Sequence, residues 1–178
     1  MIIDFHTHMF PDKIAARTID FLSKTGGDMN PFTDGTWKGL KESTKQAGID
    51  HSIVLPIATR PGQFHTINEF ATHFQEGTLI SFGSLHPESE NYKEELKQIQ
   101  DMGMKGIKLH PDYQDTYFND IRYKRIISYA TELGLIISVH AGQDPKCPDN
   151  IHCTPAMAEE VLNEVEPEKL VLAHMGGK

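Results

Sequence analysis

The sequence predicts an α/β fold in which a parallel sheet curls into a barrel, and three observations carry that prediction. Short apolar runs alternate with longer segments of helical period. The runs are apolar at nearly every position, as in strands buried on both faces, and the segments between them are of crossover length, so neighbouring strands run parallel. Four of the ten histidines stand where strands run out: His6 and His8 in IIDFHTH, His140 in LIISVHAG and His174 in LVLAHMGG. Histidines at the C-terminal ends of successive parallel strands converge on one point only if the sheet curls round.

The elements follow in order. Ile2 to His6 is the first strand. The segment from Met9 to Gly35 is too long for a plain loop, so Asp12 to Lys24 is expected to form an extra helix at the mouth of the site, with Gly26 to Gly35 as a flexible return. Ser52 to Ile57 is the second strand, and Phe64, Ile67, Ala71 and Phe74 mark a core-facing helical stripe after it. Leu79 to Leu85 is the third strand, followed by a stripe at Tyr92, Leu96, Ile99 and Met102. Gly106 to His110 is the fourth, followed by Ile126, Ile127, Ala130 and Leu133. Leu135 to His140 is the fifth. Thr154-Pro155 then reads as an N-cap and first helical position, with a stripe at Met157, Val161, Leu162 and Val165. Gly103 and Gly134 stand where helices stop. Leu170 to His174 is the sixth strand. A closed (β/α)₈ barrel of the TIM type needs eight strands and roughly 250 residues. The expectation is therefore one barrel domain over residues 1–178, incomplete in this chain at about six βα units.

Composition narrows the function. At 178 residues and 20.0 kDa, with a mean hydropathy of -0.41, the chain suits a globular protein. Seventeen basic residues against 25 acidic ones give a net charge of -8, which argues against nucleic acid or an anionic membrane as partner. No apolar run approaches the roughly 20 residues of a membrane helix. MIIDFHTH lacks a basic region followed by an apolar stretch, so no signal peptide is expected and a cytoplasmic setting is. Cys147 and Cys153 share one loop and read as reduced thiols.

The histidines carry the chemistry. Side chains i and i+2 of a strand point to one face, so His6 and His8 project together like two teeth of a clamp. Neutral imidazole is a common ligand for zinc and related ions. The bland alternative is a chance pair bonded to carboxylates such as Asp4. An unpaired polar group at the end of the apolar run before His140 would be costly, which favours a ligand role there. Lys108 and His110 share a strand and a face. Lys108 would offer a cation to an acidic substrate, and His110 a substrate contact at the strand's exit. His86 in SLHPE is either a further substrate contact or a loop histidine that fixes the turn before Pro87. His51, His65, His73 and His152 carry no strand-end signal, and Asp112 and Asp144 lie on mouth loops with nothing to single them out.

DFHTHMFP, GSLHPE, GIKLHP, SVHAG and LAHMGG, in this order and spacing, resemble the amidohydrolase superfamily, in particular the branch that includes aminocarboxymuconate-semialdehyde decarboxylase. The resemblance implies metal ligation by His6, His8 and His140. It implies that His174 is either a second-metal ligand or the catalytic histidine that orients and deprotonates water. Some relatives bridge two metals with a carboxylated lysine at the strand of Lys108. The family also uses an aspartate at the end of strand eight, and no strand eight lies within this sequence. The expected function is a mononuclear metal-dependent enzyme that hydrolyses a C–N or C–O bond of a small polar metabolite or decarboxylates it. Zinc is the default ion; manganese, iron or nickel would accept the same ligands. Two rivals are a PHP-type phosphoesterase and a truncated, catalytically silent metal-binding chain. Open strand edges further predict a homo-oligomer, or a chain that continues beyond these residues.

Overall fold

The computed structural model describes residues 1–26, 30–75 and 77–177. Part of the return expected over residues 26–35, namely 27–29, lies outside the described residues. Strands β1 (Ile3–Thr7), β2 (His51–Val54), β3 (Leu79–Ser81), β4 (Gly83–Ser84), β5 (Gly106–Leu109), β6 (Ile136–Val139) and β7 (Leu170–Leu172) all pair in parallel. Their order is β1-β2-β3 in one sheet and β4-β5-β6-β7 in the next. Helices α1 (Asp12–Thr25) and α2 (Trp37–Gln46) connect β1 to β2, and α3 (Phe64–Thr72) connects β2 to β3. Helices α4 (Tyr92–Asp101), α5 (Ile121–Glu132) and α6 (Pro155–Val165) make the crossovers from β4 to β7.

The third expected strand is broken in two. Phe82 still donates its N–H to Val54 O of β2 at 2.9 Å, but Gly83 registers with Ile107 of β5. One stretch of chain therefore joins both sheets. The break is stabilised by buried side chains. Asn68 of α3 donates to Ser84 O at 2.8 Å and accepts from Ser84 N at 2.9 Å, in place of a strand ladder. The Ser84 hydroxyl donates to Lys108 O and accepts from Ala58 N. Gly106 is required beside this bend, since a Cβ there would lie 2.5 Å from the Phe82 ring and 2.4 Å from Ile136 O.

The predicted helical stripes supply the buried faces of α4 (Leu96 and Ile99) and α5 (Ile126, Ile127 and Ala130), but in α6 only Val161 of the stripe is buried: Ala158 takes the second buried position and Leu162 is 43% exposed. Gly103 and Gly134 follow their helices at φ +85 and +70, the left-handed geometry that terminates a helix without a Cβ penalty. Thr154 caps α6 by accepting from Met157 N. Helix α2 was not foreshadowed by an apolar stripe, because it buries only Leu40 and Thr44. The Thr44 hydroxyl bonds Leu40 O and the Ser52 hydroxyl, which docks the helix on β2 through a polar contact. No helix of the described residues is long and apolar enough to cross a membrane.

Candidate metal centre

The first pair of imidazoles is set by an irregular strand. Asp4 pairs with Ser52 and Thr7 with Val54, so three steps on β1 oppose two on β2. The extra residue is a β-bulge, a device that re-aims side chains. Asp4 Oδ1 accepts from His6 N at 3.1 Å across this turn, and the Thr7 hydroxyl donates to Ile53 O at 2.8 Å. Asp4 thus serves the backbone. The outcome is the clamp expected from strand parity: His6 Nε2 and His8 Nε2 lie 3.2 Å apart. His8 Nδ1 donates to Leu55 O at 2.9 Å, which leaves its Nε2 as the acceptor atom.

The second pair comes from the opposite sheet. His140 follows β6, with its N–H donating to Leu109 O, and its Nδ1 stands 3.1 Å from His174 Nε2. His174 lies just past β7 in a turn, at φ +55, where a non-glycine residue is strained. The turn is closed by a near-contact of two backbones: a Cβ on Gly177 would fall 2.4 Å from both N and Cα of Gly142. The rings of His6 and His174 are 4.8 Å apart, so the two pairs form one connected group of four imidazoles.

Lys108 stands behind this group. It is fully buried on β5, between Ser84 and Ser138 in register, and its Nζ has no hydrogen-bond partner among the described residues. Burial pulls its ammonium down to about 7. The imidazoles are pushed the same way, toward the neutral form. Desolvation, then Lys108, holds His6 near about 2 and His8 near about 4, the latter although its rim is open to solvent. Desolvation, then His174, holds His140 near about 3. His174 is lowered by desolvation and Lys108. Neutral imidazole is the ligating form.

His110 stacks between Tyr113 and His140, with ring centroids 3.9 and 4.1 Å away. Its loop is fixed by Gln114, a buried amide that spans three strand ends. Gln114 accepts from His110 N and the Tyr123 hydroxyl, and donates to Ala58 O and Leu85 O. Asp144 Oδ2 lies 3.8 Å from His110 Nε2 and 3.7 Å from His140 Nε2. These three donors lie within 4.8 Å of one another, a set able to hold a metal ion. The two rings are nearly parallel, 14° apart. In-plane lone pairs on stacked rings run side by side and do not meet at one point. Asp112 is buried next to them and accepts from His152 Nδ1 at 2.9 Å. His86 stands apart from the cluster. Its Nδ1 accepts from Glu88 N at 3.2 Å, and its neighbouring charges are Glu88 and Arg122. His65 and His73 are exposed on α3 and at its end.

Sequence reasoning left Gln114, His152 and the roles of Asp112 and Asp144 without assignment. A weak signal existed for the acids, since each follows a strand-end histidine by two or four residues. His152 reaches Asp112 across 40 residues and has no local signature.

No curated protein matches the chain. Among solved structures it is similar to an uncharacterized TIM-barrel protein from Bordetella bronchiseptica, at a TM-score of 0.67 and 16% identity over 96% of this chain and 66% of that one. It is similar to 5-carboxyvanillate decarboxylase from Sphingomonas paucimobilis at 0.67 and 13%, over 98% of this chain and 68% of that one. A 5-carboxyvanillate decarboxylase from Novosphingobium aromaticivorans, solved with bound manganese, matches at 0.55 and 14%, over 82% and 52%. The chain thus spans between about half and two thirds of the length of these structures. The fold is of the TIM-barrel type, with parallel α/β architecture and an incomplete wall in this chain. The family model described as amidohydrolase matches residues 3–178, and the chain belongs to that family.

Proposed function

We propose that this chain forms the metal-binding part of a decarboxylase or hydrolase acting on a small carboxylate-bearing molecule, with a divalent ion held by His6, His8 and His140. The observation that carries this reading is the donor set. His6 and His8 approach at 3.2 Å, and His140 and His174 at 3.1 Å. Ligands sharing a tetrahedral ion at about 2.0–2.1 Å stand roughly 3.3 Å from one another. All four rings are held toward the neutral form. His6 and His8 come from one sheet and His140 from the other, so a bound ion would draw these three donors together, whereas His110, His140 and Asp144 already stand within 4.8 Å of one another. The stacking of His110 on His140 makes the His110–His140–Asp144 set the poorer candidate. Zinc is the default ion, and the manganese in the Novosphingobium aromaticivorans enzyme supports that metal as second choice.

A bound divalent ion would supply Lewis acidity toward a substrate oxygen. The chain's own residues supply the rest. Lys108, buried and unpaired, offers a positive charge that a substrate carboxylate would neutralise. His174 is the most exposed imidazole of the His140 pair, and its Nε2 is placed to accept or return a proton. Decarboxylation is favoured over hydrolysis by Lys108 and by the decarboxylases among the similar structures.

Elemental analysis of protein purified without chelator tests the ligand set. About one equivalent of metal is expected in the wild type and none in His6→Ala/His8→Ala. Unchanged metal in the double variant would overturn the assignment. CO2 release from a panel of small aromatic carboxylates tests the reaction. His174→Asn should lose turnover while keeping most of its metal; equal loss of metal would make His174 a ligand.

A further inference from the structure

Two of the orphaned polar atoms lie against each other beside the site. His140 Nε2 and Asp112 Oδ2 are both buried with no hydrogen-bond partner among the described residues. They face each other at 4.0 Å. Native proteins rarely leave such a donor and acceptor unsatisfied, and a small closure of this gap would satisfy both. Asp112 is not free to turn elsewhere. Its Oδ1 accepts from both Nδ1 and the backbone N of His152, at 2.9 and 3.3 Å. His152 is itself fixed, with Nε2 3.3 Å from Asn150 Nδ2 and its ring under Tyr117. The clamp therefore aims the second carboxylate oxygen at His140 from the side opposite His174.

We propose that Asp112, locked by His152, is the positioning residue of His140: its Oδ2 accepts the Nε2–H, so that Nδ1 is left as the unprotonated atom facing the metal site. The inference rests on the reading of His140 as a ligand through the nitrogen next to His174. A neutral imidazole carries one proton, and the hydrogen bond made by one nitrogen decides which atom ligates. His8 shows the same arrangement in mirror form, with Nδ1 held by Leu55 O and Nε2 left unprotonated toward His6. Asp144 also faces His140 Nε2, at 3.7 Å, but it divides its oxygen between that atom and His110 Nε2 at 3.8 Å. Asp112 Oδ2 has no second claimant.

Nitrogen-15 NMR of the imidazoles in metal-free protein reads the tautomer directly. The wild type should show His140 as the Nε2–H form. In Asp112→Asn the new carbonyl can keep the bond from His152 and turn its NH2 toward His140. His140 should then switch to Nδ1–H, and metal affinity measured by chelator competition with zinc should fall 10- to 100-fold. The thermal midpoint of the metal-free protein should stay close to wild type. His152→Gln should weaken affinity less, because the carboxylate survives without its anchor. A wild-type His140 in the Nδ1–H form would overturn the proposal, and this measurement needs no variant to fold. So would an unchanged tautomer and affinity in Asp112→Asn, or a switch produced by Asp144→Asn alone. Retention of metal by His6→Ala/His8→Ala would instead sink the ligand assignment and leave the tautomer result standing.

Discussion

The two sheets of this fold are packed very differently. β5 is buried at all four positions, and its sheet anchors a core cluster of twenty residues drawn from α3 to α6 and the strands between them. β1 buries one position of five, and its sheet rests on two clusters of four and three residues. Ile3 and Phe21 are about half exposed. The loosely packed sheet carries His6 and His8; the dense one carries Lys108, His110, His140 and His174. The lesson is that the dense half pre-forms its share of the site, whereas the other half depends on a bulge and a few polar contacts. An ion shared by both would tie the weaker sheet to the stronger.

The largest expected effect tests the density of the C-terminal half. Lys108→Met should stabilise the metal-free protein by on the order of 3–5 kcal/mol at pH 7, read by urea unfolding. The folded-state value of about 7 lies below the unfolded 10.5, so wild-type stability rises with pH across that window. The variant should lack that slope. No gain would mean that Lys108 finds a partner in solution.

Truncations compare the two cores next. Ile107→Ala should cost about 3–4 kcal/mol and Leu40→Ala under about 2, by the same measurement. Ile107 is fully buried in the large cluster, and Leu40 is 7% exposed in a small one. Equal costs would break the comparison.

Metal should then act unevenly. Zinc at about a hundredfold over its Kd should add roughly 2.7 kcal/mol. Hydrogen exchange should slow more in β1 than in β5. Trp37, the single tryptophan, sits in the weaker half and reports it by fluorescence.

Acid should act gradually, over several pH units. His140 is neutral in the fold, with a value near 3 against 6.5 when unfolded. Metal-free stability should therefore fall by about 1.4 kcal/mol for each pH unit below 6.5, down to about 3, from this group alone. His6 adds in the same direction. Thermal midpoints from pH 7 to 4 measure it.

The smallest effect belongs to the surface. Lys124 bridges α5 to Glu160 and Glu164 of α6, at 2.5 and 2.7 Å. Lys124→Ala should leave the urea midpoint nearly unchanged.

Much of this was legible from residues in order, for a physical reason. Strands buried on both faces are written as apolar runs, and a histidine ending such a run stands out against it. The runs ending at His140 and His174 and the stripes of α4 to α6 could be read because their periodicity is local. The break at Phe82 could not, because it arises where two strands hand over pairing partners and an asparagine from α3 replaces a ladder. Helix α2 hid because its docking contact is a pair of hydroxyls. The Asp112–His152 clamp hid because its members lie on different loops.

The near-contact of Gly142 with Gly177 makes the two short motifs HAG and HMGG a single mechanical part. A side chain at Gly177 would push the two histidine loops apart. Transplanting the strand-end histidine of either motif into another barrel would fail unless its partner glycine travelled with it. A library that diversifies this site should therefore vary the two loops as one cassette.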